Sequence, residues 1–240
     1  MRTLLAIAPI AMLAAACSAG AQEGDRSSRA QGQRSFTVGA FEGISLEGPH
    51  DVIVAVGGAP SVRAEGDAEA IERLDIRVED GTLKIGSRGR GNWFGRGHGR
   101  VTVHVTAPAL SRASIGGSGD MRIDRVEAPR FDGSIGGSGD MEIGALRARQ
   151  AHFSIAGSGG IRAAGQADEA DISIAGSGSV SAESLAMRRA NVSVVGSGDV
   201  AVRASETVDA SIMGSGDVTV HGAARCNVSK MGSGDVRCGS

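Results

Sequence analysis

"GGSGDM" stands at Gly116–Met121 and again, letter for letter, at Gly136–Met141. A glycine pair beside Ser and Asp can serve a phosphate loop, a calcium loop or a tight turn, and each implies a different function. The spacing decides among them. Gly-Ser-Gly begins at 117, 137, 157, 176, 196, 214 and 232, so the intervals are 20, 20, 19, 20, 18 and 18 residues. A period near twenty is the mark of a solenoid, whose repeats bury their apolar faces only against one another.

The flanks of the turn repeat with it. Ser114-Ile115, Ser134-Ile135, Ser154-Ile155, Ser173-Ile174, Ser193-Val194 and Ser211-Ile212 precede it. Asp120-Met121, Asp140-Met141, Asp199-Val200, Asp217-Val218 and Asp235-Val236 follow it. Around the first turn Ile115, Met121 and Ile123 are apolar, while Ser114, Asp120 and Arg122 are polar. That alternation has the period of a strand. The segment between turns is too short for a helix and two strands. The expected fold is therefore all-β: a single-stranded parallel β-helix with about 18–20 residues per coil, right-handed by the usual crossover preference. Seven coils would stack into a rod about 30 Å long. Gly-Ser-Gly then reads as a corner, where Gly takes φ > 0 without a clash and small residues let successive corners stack.

The N-terminal half is less regular. Gly48-Pro49-His50-Asp51-Val52 occupies the place of Gly-Ser-Gly-Asp-Val and reads as a degenerate first coil. "DAEAIERL" at Asp67–Leu74 predicts a short helix with Asp67 as its N-cap. "DIRVEDGTLKI" at Asp75–Ile85 predicts a hairpin turning at Asp80-Gly81. Val101–Val105 alternates as a further strand, and Pro108 introduces the regular coils.

Residues 1–16 stand outside the fold. Arg2, the apolar run Leu4–Ala15 and the small residues Ala14–Ala16 form an export signal too short to span a bilayer. "LAAAC" ending at Cys17 resembles a lipoprotein cleavage box, which makes Cys17 the expected lipidated N-terminus. Ordinary cleavage after Ala19-Gly20-Ala21 is the alternative. Ser18, rather than Asp, points a Gram-negative lipoprotein to the outer membrane. Residues 17–34 read as a polar tether and 35–240 as one domain.

"AIERLDIRVEDGTLKI", the strand "VTVHVTAPAL" and the serial "GSGD" coils together resemble the autotransporter adhesin head domain family, also called the head GIN domain. The resemblance covers nearly all of the mature chain. It implies an exported, often lipid-anchored parallel β-helix, with no established enzymatic activity and no catalytic residues to carry over.

The residues themselves hold few candidates for chemistry. Asp120, Asp140, Asp199, Asp217 and Asp235 should form a column beside the corners, interrupted by Gly160 and Ser179. Calcium-binding repeats use a nine-residue period, and like charges about 5 Å apart repel, so these Asp read as turn residues. No Gly-Lys-Ser/Thr follows the glycines to make a phosphate loop. Short corners and only two lysines, Lys84 and Lys230, argue against a polysaccharide-cleaving β-helix. The histidines at 50, 98, 104, 152 and 221 have no metal-ligand spacing. No cofactor or metal is expected, and no catalytic residue is assigned.

One segment departs from the coil pattern. Gly86–Arg100, "GSRGRGNWFGRGHGR", carries the single Trp, so Trp93, Phe94 and Arg96 are the candidate partner-binding loop. A plain loop whose Trp93 and Phe94 cap the core is the alternative. Cys226 and Cys238 fall in the last coil in inward register, which predicts a disulfide of about 3 kcal/mol in a terminal coil with no neighbour above it. Lys230 stands where earlier coils carry Ile or Val.

A net charge of −2 gives no field for nucleic acid. The expectation is a non-enzymatic envelope or surface binding module, adhesin-like, presenting a rigid polar face to a surface, glycan or protein ligand. It would touch the membrane only through its lipid. A structural protein that associates end to end is the alternative, and a degenerate polysaccharide lyase a more distant one.

Overall fold

The computed structural model describes residues 30–88 and 99–239. Cys17, the expected signal segment, Trp93, Phe94 and Arg96 lie outside the described residues. The N-terminal elements are β1 (Gln31–Phe36), β2 (Gly43–Gly48), β3 (Asp51–Val56), β4 (Ser61–Asp67), α1 (Ala68–Glu72), β5 (Leu74–Glu79), β6 (Thr82–Ser87) and β7 (Val101–Ala107). The coils follow as β8 (Arg112–Gly117), β9 (Met121–Ile123), β10 (Val126–Glu127), β11 (Arg130–Gly137), β12 (Met141–Gly157), β13 (Gly160–Gly176), β14 (Ser179–Gly196), β15 (Asp199–Gly214), β16 (Val218–His221), β17 (Arg225–Gly232) and β18 (Val236–Cys238).

These strands form a parallel β-solenoid with three-sided coils. The first side is in strict register from coil to coil: Ser134 stands over Ser114, and Ser154, Ser173, Ser193, Ser211 and Ser229 follow in line. Met121, Met141, Ile161, Val180, Val200, Val218 and Val236 are likewise aligned on the second side. Slips in register gather around the third side, between Ile143 and Leu146, Arg162 and Ala164, and Ala182 and Ala186. The variation in repeat length is absorbed there, and the corners stay stacked.

Alternation places every second side chain inside, where Ile, Val, Leu, Met and Ala make one continuous core. Phe131 and Phe153 are fully buried and meet edge to face, with ring centroids 6.4 Å apart. Gly133 lies beside Phe153, and Ala151 beside Phe131, so a large side chain is met by a small one in the neighbouring coil.

The base of the stack is threaded. β2 pairs in parallel with both β6 and β8, and β3 with both β7 and β9. The expected first coil is thus the second layer, and β6 with β7, although later in the chain, makes the layer beneath it. β4 lies antiparallel to β7, β1 antiparallel to β4, and β5 antiparallel to β6. β1 starts four residues ahead of the boundary read from composition, because Gln31–Phe36 gains a full ladder against β4. Asp67 caps α1 by accepting from Ala70 N–H, and Ile71 fills the end of the core. Asp80 and Gly81, both at positive φ, form the hairpin turn between β5 and β6. Among the described residues no helix is long and apolar enough to cross a membrane.

The opposite end is finished differently. Val228 stands over the buried Ala210 but is itself 47% exposed, because no coil among the described residues covers it. Cys226 and Cys238, each in the register of a buried Val below, are bonded across the end of the core. Lys230 takes the register of Ile212, and its ammonium donates to the Gly234 carbonyl (3.1 Å) and reaches Asp235 (3.4 Å). An inward-pointing charge of this kind blunts an open sheet edge.

Candidate functional surfaces

The Asp column is built into the corners. Asp120 accepts from the Asp140 N–H (3.0 Å) and Asp140 from the Gly160 N–H (2.8 Å). Beyond the interruption, Asp199 accepts from Asp217 N–H (3.0 Å) and Asp217 from Asp235 N–H (2.9 Å). Each carboxylate therefore ties one coil to the next. Asp235 has no coil above it among the described residues and takes Lys230 instead. Among the described residues no group of three or more His, Cys, Asp or Glu is placed to hold a metal ion. Asp140→Ala should leave the Gly160 N–H to water and lower stability by about 1 kcal/mol. Denaturant titration checks this, with Ser138→Ala, exposed on the corner, as the neutral control.

The base contributes closed electrostatics. His50, the one buried polar residue among the described residues, bonds Ser87 Oγ through Nε2 at 2.8 Å. Burial pushes its pKa below the usual imidazole value, against a smaller upward pull from Asp51. On the hairpin, Glu79 is held below the usual carboxylate range by hydrogen bonds from Lys84 and Arg77, and Arg77 also pairs with Asp75. These charges are spent on one another.

The third side is open. Its floor is the column Ala148, Ala167, Met187 and Ala204, aligned across β12 to β15. Arg147, Gln166, Ala186 and Arg203 form one wall, and Asp168, Arg188 and Ser205 the other, around a furrow of about 560 Å³. Glu206 pairs with Arg188 at 2.7 Å and, with Asp168, raises its pKa. Arg203 donates through Nε to the Glu183 carbonyl at 2.8 Å, which orients the side chain but leaves its charge uncompensated. Arg147 likewise has no carboxylate partner among the described residues. Two free cations thus stand over an apolar floor. A smaller hollow of about 210 Å³ on the second side is lined by Asp120, Arg122, Asp140, Glu142 and Arg162, and there Arg122 is already paired with Glu142 at 3.1 Å.

The furrow was not among the residues singled out from the sequence. The readable trace is the fall of the repeat from 20 to 18 residues after Gly196. Between β14 and β15 the pairing steps from Ala182–Val202 to Ala186–Arg203. That step borders the furrow at Ala186 and Arg203.

A family model described as "Putative auto-transporter adhesin, head GIN domain" matches residues 40–224. No curated protein matches the chain. Among solved structures, a "putative adhesin" from Bacteroides fragilis superposes with a TM-score of 0.80 at 22% identity, covering 88% of this chain and 98% of its own. A "putative adhesin" from Parabacteroides merdae gives 0.68 at 21%, covering 87% and 95%. A "putative lipid binding protein" from Parabacteroides distasonis gives 0.69 at 24%, covering 87% and 96%. At these identities the likeness shows the fold.

Proposed function

The chain belongs to the auto-transporter adhesin head GIN domain family, and from that premise we propose that it is a non-enzymatic binding module of the cell envelope. Its N-terminal signal exports it and lipid on Cys17 tethers it to the outer membrane. The module holds an extended anionic partner, an acidic glycan chain, along the furrow of the third side.

One observation carries the reading. Arg147 and Arg203 stand uncompensated on one wall of a furrow that runs along the solenoid axis. The parallel ladder fixes their spacing, so a polymer with regularly spaced carboxylates or sulfates can engage both without ordering the protein. Preorganisation of this kind lowers the cost of binding. The individual contacts are exposed and modest, and strength comes from repetition along one chain and across many tethered copies.

The test is binding to immobilised acidic and neutral polysaccharides at several salt concentrations. The acidic polymer should be retained and released as salt rises. Arg147→Ala and Arg203→Ala should each weaken retention about tenfold, the worth of one hydrogen bond to a charged group. Equal retention of neutral polymer, or full retention by the double variant, would refute the assignment. Protease shaving of intact cells, with a periplasmic control, separates a surface module from an internal one.

A further inference from the structure

The first side of the solenoid carries a second pattern that the furrow does not use. Its outward residues just before each corner run Gly116, Gly136, Ala156, Ala175, Val195, Met213, Met231. From Gly136 onward they are register partners, coil on coil. Side-chain size rises steadily along this column, from none at one end to methionine at the other. Val195, Met213 and Met231 are 51%, 55% and 70% exposed, and they account for three of the five large apolar residues exposed among the described residues.

Both flanking columns are serine in every coil: Ser114 to Ser229 on one side, Ser118 to Ser233 on the other. The face is therefore uncharged and graded in height, and it ends at the corner serines. Six coil steps and three columns span about 29 Å by about 20 Å. That is about 600 Å² per copy and about 1,200 Å² in a pair, at the lower bound of stable interfaces.

We propose that this face is occupied by a second copy of the same chain, packed face to face and antiparallel about a two-fold axis at Ala175. An isologous contact sets residue i against j and j against i. Reversal of the column then places Met231 against Gly116, Met213 against Gly136, Val195 against Ala156, and Ala175 against itself. Large meets small at every level, so the gap between the sheets is filled evenly and the serine columns face one another. The parallel arrangement would oppose Met231 to Met231 and Gly116 to Gly116, and would splay open at one end.

The rims carry like charges. Asp132 comes opposite Asp209, and Asp171 opposite its own copy, although each is already bonded, to Arg130, Asn227 and Asn191 respectively. On the other rim Asp140 comes opposite Asp217. Salt screens this repulsion, so the pair tightens as salt rises, whereas glycan retention in the furrow weakens. The third side stays open in the dimer, which carries two furrows running in opposite directions.

Cysteine cross-linking of the full chain, with Cys17→Ser so that an unlipidated Cys17 cannot take part, tests the geometry. Ala175→Cys should link to itself on mild oxidation. Met231→Cys should not, but mixed with Gly116→Cys it should give a linked pair. Gly116 and Ala175 are both exposed, so these variants keep the fold. Sedimentation should show a monomer–dimer equilibrium that Met213→Glu weakens at least tenfold. A monomer at every concentration reached, or self-linking of Met231→Cys with Ala175→Cys silent, would overturn the proposal. So would a monomer that binds neutral lipid vesicles through the methionines, with Met213→Glu abolishing that binding.

Discussion

Gly157→Val is expected to abolish the folded solenoid: far-ultraviolet circular dichroism should lose its β signal, and the chain should be recovered mainly as aggregate. Gly157 lies mid-stack at φ +141, a conformation closed to residues with a side chain. A Cβ there would overlap the Gly137 carbonyl oxygen, which itself accepts from Ser158 N–H at 2.9 Å. Neither group can yield without parting two coils, so the loss should exceed about 4 kcal/mol. Exposed Ser158, the next residue, is the control: Ser158→Ala should stay within about 0.5 kcal/mol of the parent. A Gly157→Val chain that melts like the parent would show that the corners do not hold the stack in register.

Phe153→Ala should lower stability by about 3–5 kcal/mol, as for other buried aromatic truncations. Phe153 is fully buried, with Gly133 below it and Ile172 above, and Phe131 against its edge. The ladders hold the backbone on all three sides, so the void cannot collapse. Calorimetry should register a fall in Tm of about 10 °C. Phe153→Leu should recover more than half of it. A Tm within a few degrees of the parent in Phe153→Ala would mean that the core relaxes as no close-packed interior does.

The regular part of the fold was legible because one physical constraint recurs in the letters. Stacked corners require glycine at fixed intervals, and two-residue alternation assigns each flanking side chain to core or solvent. Ile115, Met121, Phe131 and Phe153 are buried as that alternation demands. Asp67 and the Asp80-Gly81 turn were legible for a local reason, since capping and positive φ need only neighbours in the chain. The threaded base was not legible. β6 and β7 look like any hairpin strand and alternating strand, and nothing local tells that they slide beneath β2 and β3. The furrow was equally hidden, because its walls exist only once coiling aligns Arg147, Gln166, Ala186 and Arg203. The size gradient from Gly116 to Met231 is plain in the letters, yet it gains meaning only when coiling brings residues 18–20 apart into one column.

The threaded base also fixes the order of assembly. In the upper stack each strand meets its neighbour after 18–20 residues, so layers can zip one after another as the chain arrives. β3 instead waits for partners far downstream: Asp51 pairs with Thr102, and Val52 with Met121. Closing a loop of that size costs about 0.8 kcal/mol more than closing one coil, and both partners must be present before β3 is covered. β3 is thus sealed only after residue 123 has followed it, when six later strands, β4 to β9, have already been made. Until it is, Ile44, Leu46, Val52 and Val54 remain open to water. A chain stopped short of β7 would therefore expose its base to proteases and chaperones.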